Sequence, residues 1–288
     1  MTKIRLGVAQ VRQTADIDLN FGKIMEYLDR AGEEGVDILC FPEAQLPGYR
    51  VDIAPFDAPV QEERLDRYTE MISQRCGQLN IACILGTETP VAGGKPLNSA
   101  VIIDERGRQV GRHSKTILTP LDAKAYSPGQ GFGVWTLKGV PCGVVICFEG
   151  FRFAHTTRAC ASQGAQVIFH PQNNTTRPGL EWKTPIHEAM AVTRAAENTV
   201  FFISANICIE HQNCPSLIIG PEGTIRVASQ LKREELLVAD IDPGEATRAM
   251  FHFQRDGMGE VLFGQAVSRE EYSEISSEEM RQEEEKEG

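Results

Sequence analysis

The stretch Gly143-Val144-Val145-Ile146-Cys147-Phe148-Glu149-Gly150 organises the predicted fold. Val144 to Ile146 form a short apolar run of β-branched residues, a pattern typical of a strand buried on both faces. The residues from 153 to 163 show a helical pattern, which predicts a strand-to-helix elbow at Cys147. Ligands bind at the carboxyl ends of parallel strands in α/β proteins, so Cys147 is a candidate nucleophile. For any single free cysteine, a small buried hydrophobic residue is the simpler interpretation.

Two further stretches place an ionisable side chain just past an apolar segment, as Cys147 is placed. Ile38-Leu39-Cys40-Phe41-Pro42-Glu43 ends at a carboxylate, and Arg112-His113-Ser114-Lys115 ends at an ammonium group. The three groups would therefore converge at one sheet edge. A thiol with an ordinary pKa of about 8.5 is mostly protonated near neutrality and needs a base to become nucleophilic. Glu43 can be that base, and Lys115 can keep Glu43 ionised and stabilise an oxyanion.

The order of predicted elements indicates one α/β domain with mixed sheets. Strands are predicted at 3–10, 37–41, 81–87, 98–104, 109–112, 134–137, 141–146, 166–170, 199–206, 216–219, 225–228 and 236–241, and helices at 19–34, 62–79, 153–163 and 184–197. Glu105-Arg106-Gly107-Arg108 and Pro221-Glu222-Gly223 are turns that each predict an antiparallel hairpin. Hairpins within an alternating order of helices and strands predict mixed rather than purely parallel sheets. The loop 45–59, which contains Tyr49, is a candidate pocket wall.

Composition excludes several classes of protein. No apolar run approaches the roughly 18 residues that a membrane helix needs, and no basic patch suggests nucleic acid. The start of the chain leads directly into a predicted strand without a signal-peptide hydrophobic region. The eight cysteines have no close regular spacing, which suits a reducing cytoplasm better than a disulfide framework. Without CxxC or HExxH spacing, we expect neither a metal nor a cofactor.

The acidic charge of the chain is concentrated near its end. Residues 269–287 contain nine acidic and three basic residues, which gives −6 of the total net charge of −11. From about residue 268 the composition is rich in serine and glutamate and poor in apolar residues, which is typical of a disordered acidic tail. We therefore expect a single domain over residues 1–267 and a disordered tail over residues 268–288.

These stretches resemble the carbon–nitrogen hydrolase (nitrilase) superfamily, in its amidase-like branch, with its Glu-Lys-Cys triad. The resemblance rests on Phe-Pro-Glu at Glu43, Lys-Thr-x-Leu at Lys115 and Ile-Cys-x-Glu at Cys147. Three more stretches add to it: Ala125-Tyr126-Ser127-Pro128-Gly129, Arg194-Ala195-Ala196-Glu197-Asn198 and Gly220-Pro221-Glu222-Gly223. The resemblance covers roughly residues 3–245 in the family's order. It implies a four-layer αββα sandwich of two mixed sheets.

The resemblance also implies acyl transfer in two halves. Glu43 would take the proton of Cys147, and the thiolate would attack an amide or carbamoyl carbon, while Lys115 and the backbone N–H of Phe148 hold the oxyanion. Glu43 would protonate the departing ammonia and then activate the water that hydrolyses the thioester. Asp122 stands where many members have a second glutamate, and its shorter side chain leaves its supporting role open.

Substrate identity is less well defined by the sequence. Members that cleave N-carbamoyl amino acids often have arginines directly after the cysteine, whereas this chain has Glu149-Gly150-Phe151-Arg152. A carboxylate clamp is therefore not evident. Glu149 would either face a cationic or neutral amide or make a structural hydrogen bond. Asn173 and Asn174 are further candidates for the pocket.

Two alternative functions and a predicted oligomeric state accompany this interpretation. The family's Pro-Glu after the elbow is Ala154-His155 here, and a non-catalytic regulatory subunit that keeps the fold is one alternative. A nitrilase proper is another, although Phe148 stands where nitrilases often have tryptophan. The main interpretation takes either a small amide or an N-carbamoyl compound as the substrate. The resemblance implies a homodimer built on the helices predicted at 153–163 and 184–197, with the apolar segment 248–263 as the part that could cross to a partner.

Overall fold

A computed structural model describes residues 3–176 and 179–249. Residues up to Thr247 belong to one compact unit. The predicted acidic tail, the predicted domain limit at residue 267 and most of the segment 248–263 lie outside the described residues. Those three predictions remain predictions.

Within the described residues, the strands form two six-stranded sheets, and each sheet has three parallel strands flanked by antiparallel ones. The first sheet has the order β12-β1-β2-β3-β4-β5, with β1 Ile4–Gln10, β2 Ile38–Cys40, β3 Ala82–Thr89, β4 Leu97–Ile103, β5 Gln109–Ser114 and β12 Glu235–Ile241. The second has the order β11-β10-β9-β8-β7-β6, with β6 Val134–Leu137, β7 Val140–Val144, β8 Val167–Pro171, β9 Phe201–Ala205, β10 Leu217–Ile219 and β11 Ile225–Ala228. Both predicted hairpins are present, as β4–β5 and β10–β11.

The described residues form six α-helices, of which the four longer ones cover the outer faces of the two sheets. The six helices are α1 Ile17–Glu33, α2 Glu62–Leu79, α3 Asp122–Ala125, α4 Phe148–Arg152, α5 Ala154–Ser162 and α6 Lys183–Ala196. Helices α1 and α2 bury Ile24, Leu28 and Ile72 against the first sheet. Helices α5 and α6 pack on the second sheet.

A second apolar layer fills the space between the sheets. Alternate residues of the strands point into it, such as Leu6 and Val8 from β1 and Phe169 from β8, all fully buried. Fully burying one such side chain stabilises the fold by about 1.5–3 kcal/mol. The predicted four-layer αββα sandwich of two mixed sheets is confirmed.

The elbow after Cys147 is sharper than the sequence predicts. Helix α4 begins at Phe148, directly after the cysteine, and a separate helix α5 begins at Ala154, whereas the helical pattern predicted one helix over 153–163. Phe153 has extended backbone angles between the two helices. A five-residue helix is too short to show a periodicity, which is why the pattern missed it.

Candidate active site

Cys147 occupies the elbow in a strained backbone conformation. Its φ of 48° and ψ of −107° lie outside the regions that side-chain-bearing residues ordinarily adopt, a strain that clusters at functional sites. Its own N–H donates to the Pro171 carbonyl at 2.8 Å, which ties the elbow to β8. The next N–H, that of Phe148, has no acceptor among the described residues. The elbow therefore presents a thiol and an unpaired N–H side by side.

Glu43 follows β2 and is almost completely buried. Its Oε1 accepts hydrogen bonds from Lys115 Nζ and Asn98 Nδ2, both at 2.7 Å, and its Oε2 accepts one from the Asn173 N–H at 2.9 Å. Burial raises the pKa of Glu43 above its ordinary value, and the charge of Lys115 opposes this only in part. A carboxyl group with a raised pKa holds a proton more readily than an exposed one, as a general base requires.

Lys115 follows β5 and has no exposed surface. Its Nζ lies 2.7 Å from Glu43 Oε1 and 2.9 Å from Asp122 Oδ2. Burial alone would lower the pKa of Lys115, but the negative charges of Glu43 and Asp122, and that of Cys147 whenever its thiol is ionised, outweigh burial and raise it. Lys115 is therefore a fixed positive charge beside the thiol.

Asp122 reaches the lysine in spite of its shorter side chain. Its Oδ1 accepts a 2.5 Å hydrogen bond from the Tyr49 hydroxyl, and its Oδ2 accepts one from the Thr119 N–H at 2.9 Å. Burial would raise the pKa of Asp122, but Lys115 and these hydrogen bonds lower it. Asp122 is thus an ionised second partner of Lys115, and Tyr49 holds it in place.

Glu149 does not face the pocket, so the hypothesis that it meets a substrate is wrong. It is fully buried, and its oxygens accept hydrogen bonds from His113 Nε2 at 2.8 Å, the Thr116 N–H at 2.6 Å and the Ile146 N–H at 2.7 Å. Burial alone would raise the pKa of Glu149, but the His113 side chain and these donors lower it to about 2. Glu149 ties the segment beside the lysine to the residue before Cys147, which is the structural alternative.

A pocket of about 460 Å³ opens at the thiol. Phe148, Asn173 and Asn174 line it, as the sequence predicts, and so does Tyr49 from the predicted pocket wall. Its other lining residues come from four parts of the chain: Val51, Asp52, Thr119, Pro120, Leu121, Cys147, Phe151, Arg152, Thr175, Leu180, Lys183 and His187. The structure therefore brings together every predicted site residue except Glu149, which supports the pocket from behind.

The sequence alone did not indicate several residues that position this site. Gln13 donates to the Glu43 carbonyl at 2.9 Å and accepts from the Tyr49 N–H at 3.1 Å, which links the base to the pocket wall. Arg194 donates to the carbonyls of Gly150 and Phe151, at 3.0 and 3.1 Å, and so holds the end of α4. Arg194 belongs to a stretch that carried the resemblance, but its role was not assigned. No local sequence pattern marks Gln13, because its hydrogen-bond partners Glu43 and Tyr49 lie far from it in the sequence and meet it only in the folded protein.

Two absences can be stated for the described part of the chain. Residues 3–176 and 179–249 contain no group of three histidine, cysteine or acidic side chains that could hold a metal ion. In the same ranges, no helix is both long and apolar enough to cross a membrane.

Comparisons with known proteins identify the family of the chain and support its fold. The family model for carbon–nitrogen hydrolases matches residues 5–250. The chain is similar to an (R)-stereoselective amidase of Pseudomonas sp., with 27% identity over 76% of this chain and 79% of that protein. It is also similar to a nitrilase of Pyrococcus abyssi, with 28% identity over 80% of this chain and 86% of that protein. An amidase structure from Nesterenkonia sp. matches with a TM-score of 0.72 and 23% identity, over 86% of this chain and 95% of that one, which is a likeness of fold.

Proposed function

The chain belongs to the carbon–nitrogen hydrolase family, as its motifs predicted, and on that premise we propose that it hydrolyses a small amide or N-carbamoyl compound through a thioester on Cys147. The observation that carries this proposal is the cluster of Glu43 and Lys115, buried beside the Cys147 thiol that opens into the pocket. Glu43 and Lys115 both lie close enough to the thiol to act on its pKa. In a variant of the Nesterenkonia amidase, the acetamide moiety of fluoroacetamide is added covalently at the active-site cysteine.

Acylation begins from a protonated thiol. Burial first, and then the charge of Glu43, raise the pKa of Cys147 well above its ordinary value, so the resting thiol keeps its proton. Glu43 takes this proton as the sulfur attacks the carbonyl carbon, and the carbonyl π electrons move to oxygen. Lys115 Nζ and the Phe148 N–H stabilise that oxyanion. The tetrahedral intermediate collapses, the C–N bond breaks, and Glu43 gives the proton to the leaving nitrogen.

Deacylation repeats the sequence with water. Glu43, ionised again, takes a proton from a water molecule that attacks the thioester carbon. The C–S bond breaks, and the proton returns to the sulfur of Cys147. The net reaction consumes one water and yields a carboxylic acid and ammonia from a primary amide. Each half-reaction uses Glu43 once as a base and once as an acid.

The charges around the pocket support an anionic or neutral substrate rather than a cationic one. Arg152 and Lys183 line the pocket. Burial, and then the charges of Arg152 and Lys183, lower the pKa of His187 to about 4, so that ring is uncharged near neutrality. Asp52 is the only carboxylate among the described lining residues, and its Oδ2 accepts a hydrogen bond from the Thr175 hydroxyl. The sequence shows no evident carboxylate clamp directly after the cysteine, and we propose one formed by Arg152 and Lys183, which come from separate segments.

Ammonia release from a matched panel tests both parts of the proposal. Succinamate, butyramide and 4-aminobutyramide share a four-carbon chain and differ in charge, and butyronitrile tests the nitrilase alternative. We expect kcat/KM to fall in the order anionic, neutral, cationic, and Lys183→Glu to reverse it. Cys147→Ala should abolish turnover, whereas Cys208→Ala, at a buried cysteine outside the pocket, should keep it.

Two outcomes would favour the alternatives. Faster turnover of the nitrile than of the amides would make the chain a nitrilase proper. A wild-type protein that turns over no member of the panel, and whose Cys147 reacts with iodoacetamide no faster than an ordinary thiol, would favour the non-catalytic subunit. Amide turnover that survives Cys147→Ala would contradict the mechanism.

The predicted homodimer is proposed on one face of α6. Ile186 is 40% exposed there, and Ala189 and Thr193 are exposed beside it. Val192 and Ala196 instead lie against the turn at Gly223 of the same chain, so part of the apolar surface predicted for a partner packs within the subunit. Sedimentation equilibrium should give a dimer at micromolar concentration that Ala189→Arg dissociates. A wild-type monomer would refute the dimer.

A further inference from the structure

The peptide bond between Cys147 and Phe148 carries two groups with different tasks. Its N–H belongs to Phe148 and is the backbone oxyanion donor of the proposed reaction. Its carbonyl belongs to Cys147 and accepts hydrogen bonds from His170 Nε2 at 2.8 Å and from the Phe151 N–H at 3.3 Å. The shorter bond is the one from His170, which lies in β8 rather than in the elbow itself.

The proton on His170 is placed by a chain of hydrogen bonds. Gln172 Nε2 can only donate, and it lies 2.6 Å from Ser204 Oγ, so that hydroxyl accepts from Gln172 and gives its own hydrogen to His170 Nδ1 at 2.9 Å. Burial lowers the pKa of His170 to about 4, so the ring is neutral near pH 7 and carries one hydrogen. That hydrogen is on Nε2, because the Cys147 carbonyl can only accept.

The ring itself has little room to move. Phe151 meets it edge-on at 4.6 Å between centroids, and Phe202 lies at 5.0 Å. A Cβ at position 150 would lie 2.8 Å from His170 Nε2, so the ring approaches as closely as it does because that residue is glycine. The Nε2–H is therefore a donor held in a fixed position.

We propose that His170 is a positioning residue that aims and strengthens the oxyanion donor of Phe148. A trans peptide is planar, and its C=O and N–H point in opposite directions, so a donor that fixes the Cys147 oxygen also fixes the direction of the Phe148 N–H. A hydrogen bond to the carbonyl polarises the same peptide and makes its N–H a stronger donor. The strained backbone conformation of Cys147 persists only because surrounding contacts hold it, and the hydrogen bond from His170 is one of them. The inference rests on the proposed function for the identity of the oxyanion.

Two substitutions of similar polarity separate the two sides of the ring. In His170→Gln, the side-chain amide extends as far as Nε2 and can still donate to the Cys147 carbonyl. In His170→Asn, the amide ends near the position of Nδ1 and keeps only the contact with Ser204. Both variants fill the site with a polar amide, so a difference between them reports the reach to Cys147, and thermal unfolding of each checks the fold.

Three readouts distinguish the oxyanion donor from the thiol. Butyraldehyde adds to the thiol and places its oxygen where the oxyanion forms, whereas methyl methanethiosulfonate reacts with the thiol at sulfur and forms no oxyanion. We expect His170→Asn to weaken butyraldehyde inhibition and to lower kcat for an amide by about 10- to 100-fold, less than the roughly 100- to 1,000-fold cost of removing an oxyanion donor. KM and the rate of methanethiosulfonate labelling should change by less than about 2-fold, and His170→Gln should recover most of both losses.

Several outcomes would overturn the inference. One is a rate of methanethiosulfonate labelling in His170→Asn that falls as far as kcat, and another is an aldehyde affinity that His170→Asn leaves unchanged. The others are equal behaviour of the His170→Asn and His170→Gln variants, and a wild-type protein that does not bind the aldehyde. The proposed function fails separately, because aldehyde binding and thiol labelling are measured without amide turnover. A protein that shows the His170 dependence of aldehyde binding but cleaves no amide would support the inference and contradict the function.

Discussion

Two buried glutamates flank the elbow, and their surroundings give them opposite properties. Glu43 accepts one hydrogen bond from a backbone N–H and two from side chains, and its pKa is raised by burial. Glu149 accepts from the N–H groups of Thr116 and Ile146 and from two side chains, and its pKa is lowered to about 2. Both residues are buried, with at most 1% of their surface exposed. Burial alone therefore does not determine what a carboxylate does.

The difference lies in what compensates the buried charge. Around Glu149, rigid backbone donors and His113 face the two oxygens, so the charge is stabilised in a fixed place. Around Glu43, the negative charge of Asp122 opposes part of the stabilisation that Lys115 provides. The first arrangement suits a structural connection between segments, and the second suits a group that gains and loses a proton in each turnover.

The largest effect on activity is expected for Glu43→Gln. The amide cannot take the proton of Cys147, so kcat for amide hydrolysis should fall by about 1,000-fold or more. The new NH₂ group would also face a donor, but the substitution removes a charge that burial disfavours, and Asp122 still pairs with Lys115. The free energy of unfolding should therefore fall by only about 1–2 kcal/mol, less than for Glu149→Gln. Steady-state kinetics and denaturant unfolding of the same sample measure both. Equal losses in the free energy of unfolding from Glu43→Gln and Glu149→Gln would contradict the difference in role between the two glutamates.

The largest effect on stability is expected for Glu149→Gln. An amide has one acceptor oxygen, so its NH₂ group would face a backbone N–H of Ile146 or of Thr116 without a partner. Breaking such a buried network should reduce the free energy of unfolding by about 3 kcal/mol. Activity should also fall, because the segment that holds Cys147 would lose its connection to the segment beside Lys115. A variant as stable as the wild type would show that Glu149 is not a structural connection.

The sequence predicted the frame of the site better than its interior. Strands ending near Glu43, Lys115 and Cys147 could be predicted because apolar runs mark where buried strands stop. The role of Glu149 could not, because its spacing from Cys147 places it near the nucleophile whichever way the side chain turns. The convergence of Arg152 and Lys183 depends on packing between α4 and α6, which leaves no local pattern. Helix α3, with four residues, is too short to show a period, so Asp122 was placed only by the resemblance.

Lowering the pH should separate the two glutamates. Glu43 must be ionised to act as a base, and its pKa is raised, so activity should be lost at a pH above 4.5, the ordinary value. Glu149 has a lowered pKa, so its contribution to stability is complete above pH 4.5 and is lost as pH falls from there to about 2. Profiles of kcat/KM and of circular dichroism against pH should show activity lost while the fold is intact. Loss of both at the same pH would contradict this order.

The smallest effect is expected for Asp122→Asn. The substitution removes one of two carboxylates beside Lys115 and leaves the hydrogen bond from Tyr49, so we expect kcat/KM to fall by about 10-fold. Because the charge of Asp122 raises the pKa of Glu43, its removal should move the acid limb of the pH profile to lower pH. A limb that moves to higher pH would show that Asp122 does not act on Glu43 through its charge.

The most direct measurement of the mechanism is the mass of the acylated protein. Methyl butyrate carries the same acyl chain as butyramide. When it is mixed with the protein and the reaction is quenched in acid within the first turnovers, a butyryl group should remain on the peptide that contains Cys147. The adduct should be absent from Cys147→Ala and should form far more slowly in Glu43→Gln, in which the Cys147 thiol has no base to take its proton. Turnover without an adduct on Cys147, or an adduct on another residue that disappears at the rate of turnover, would contradict the thioester mechanism.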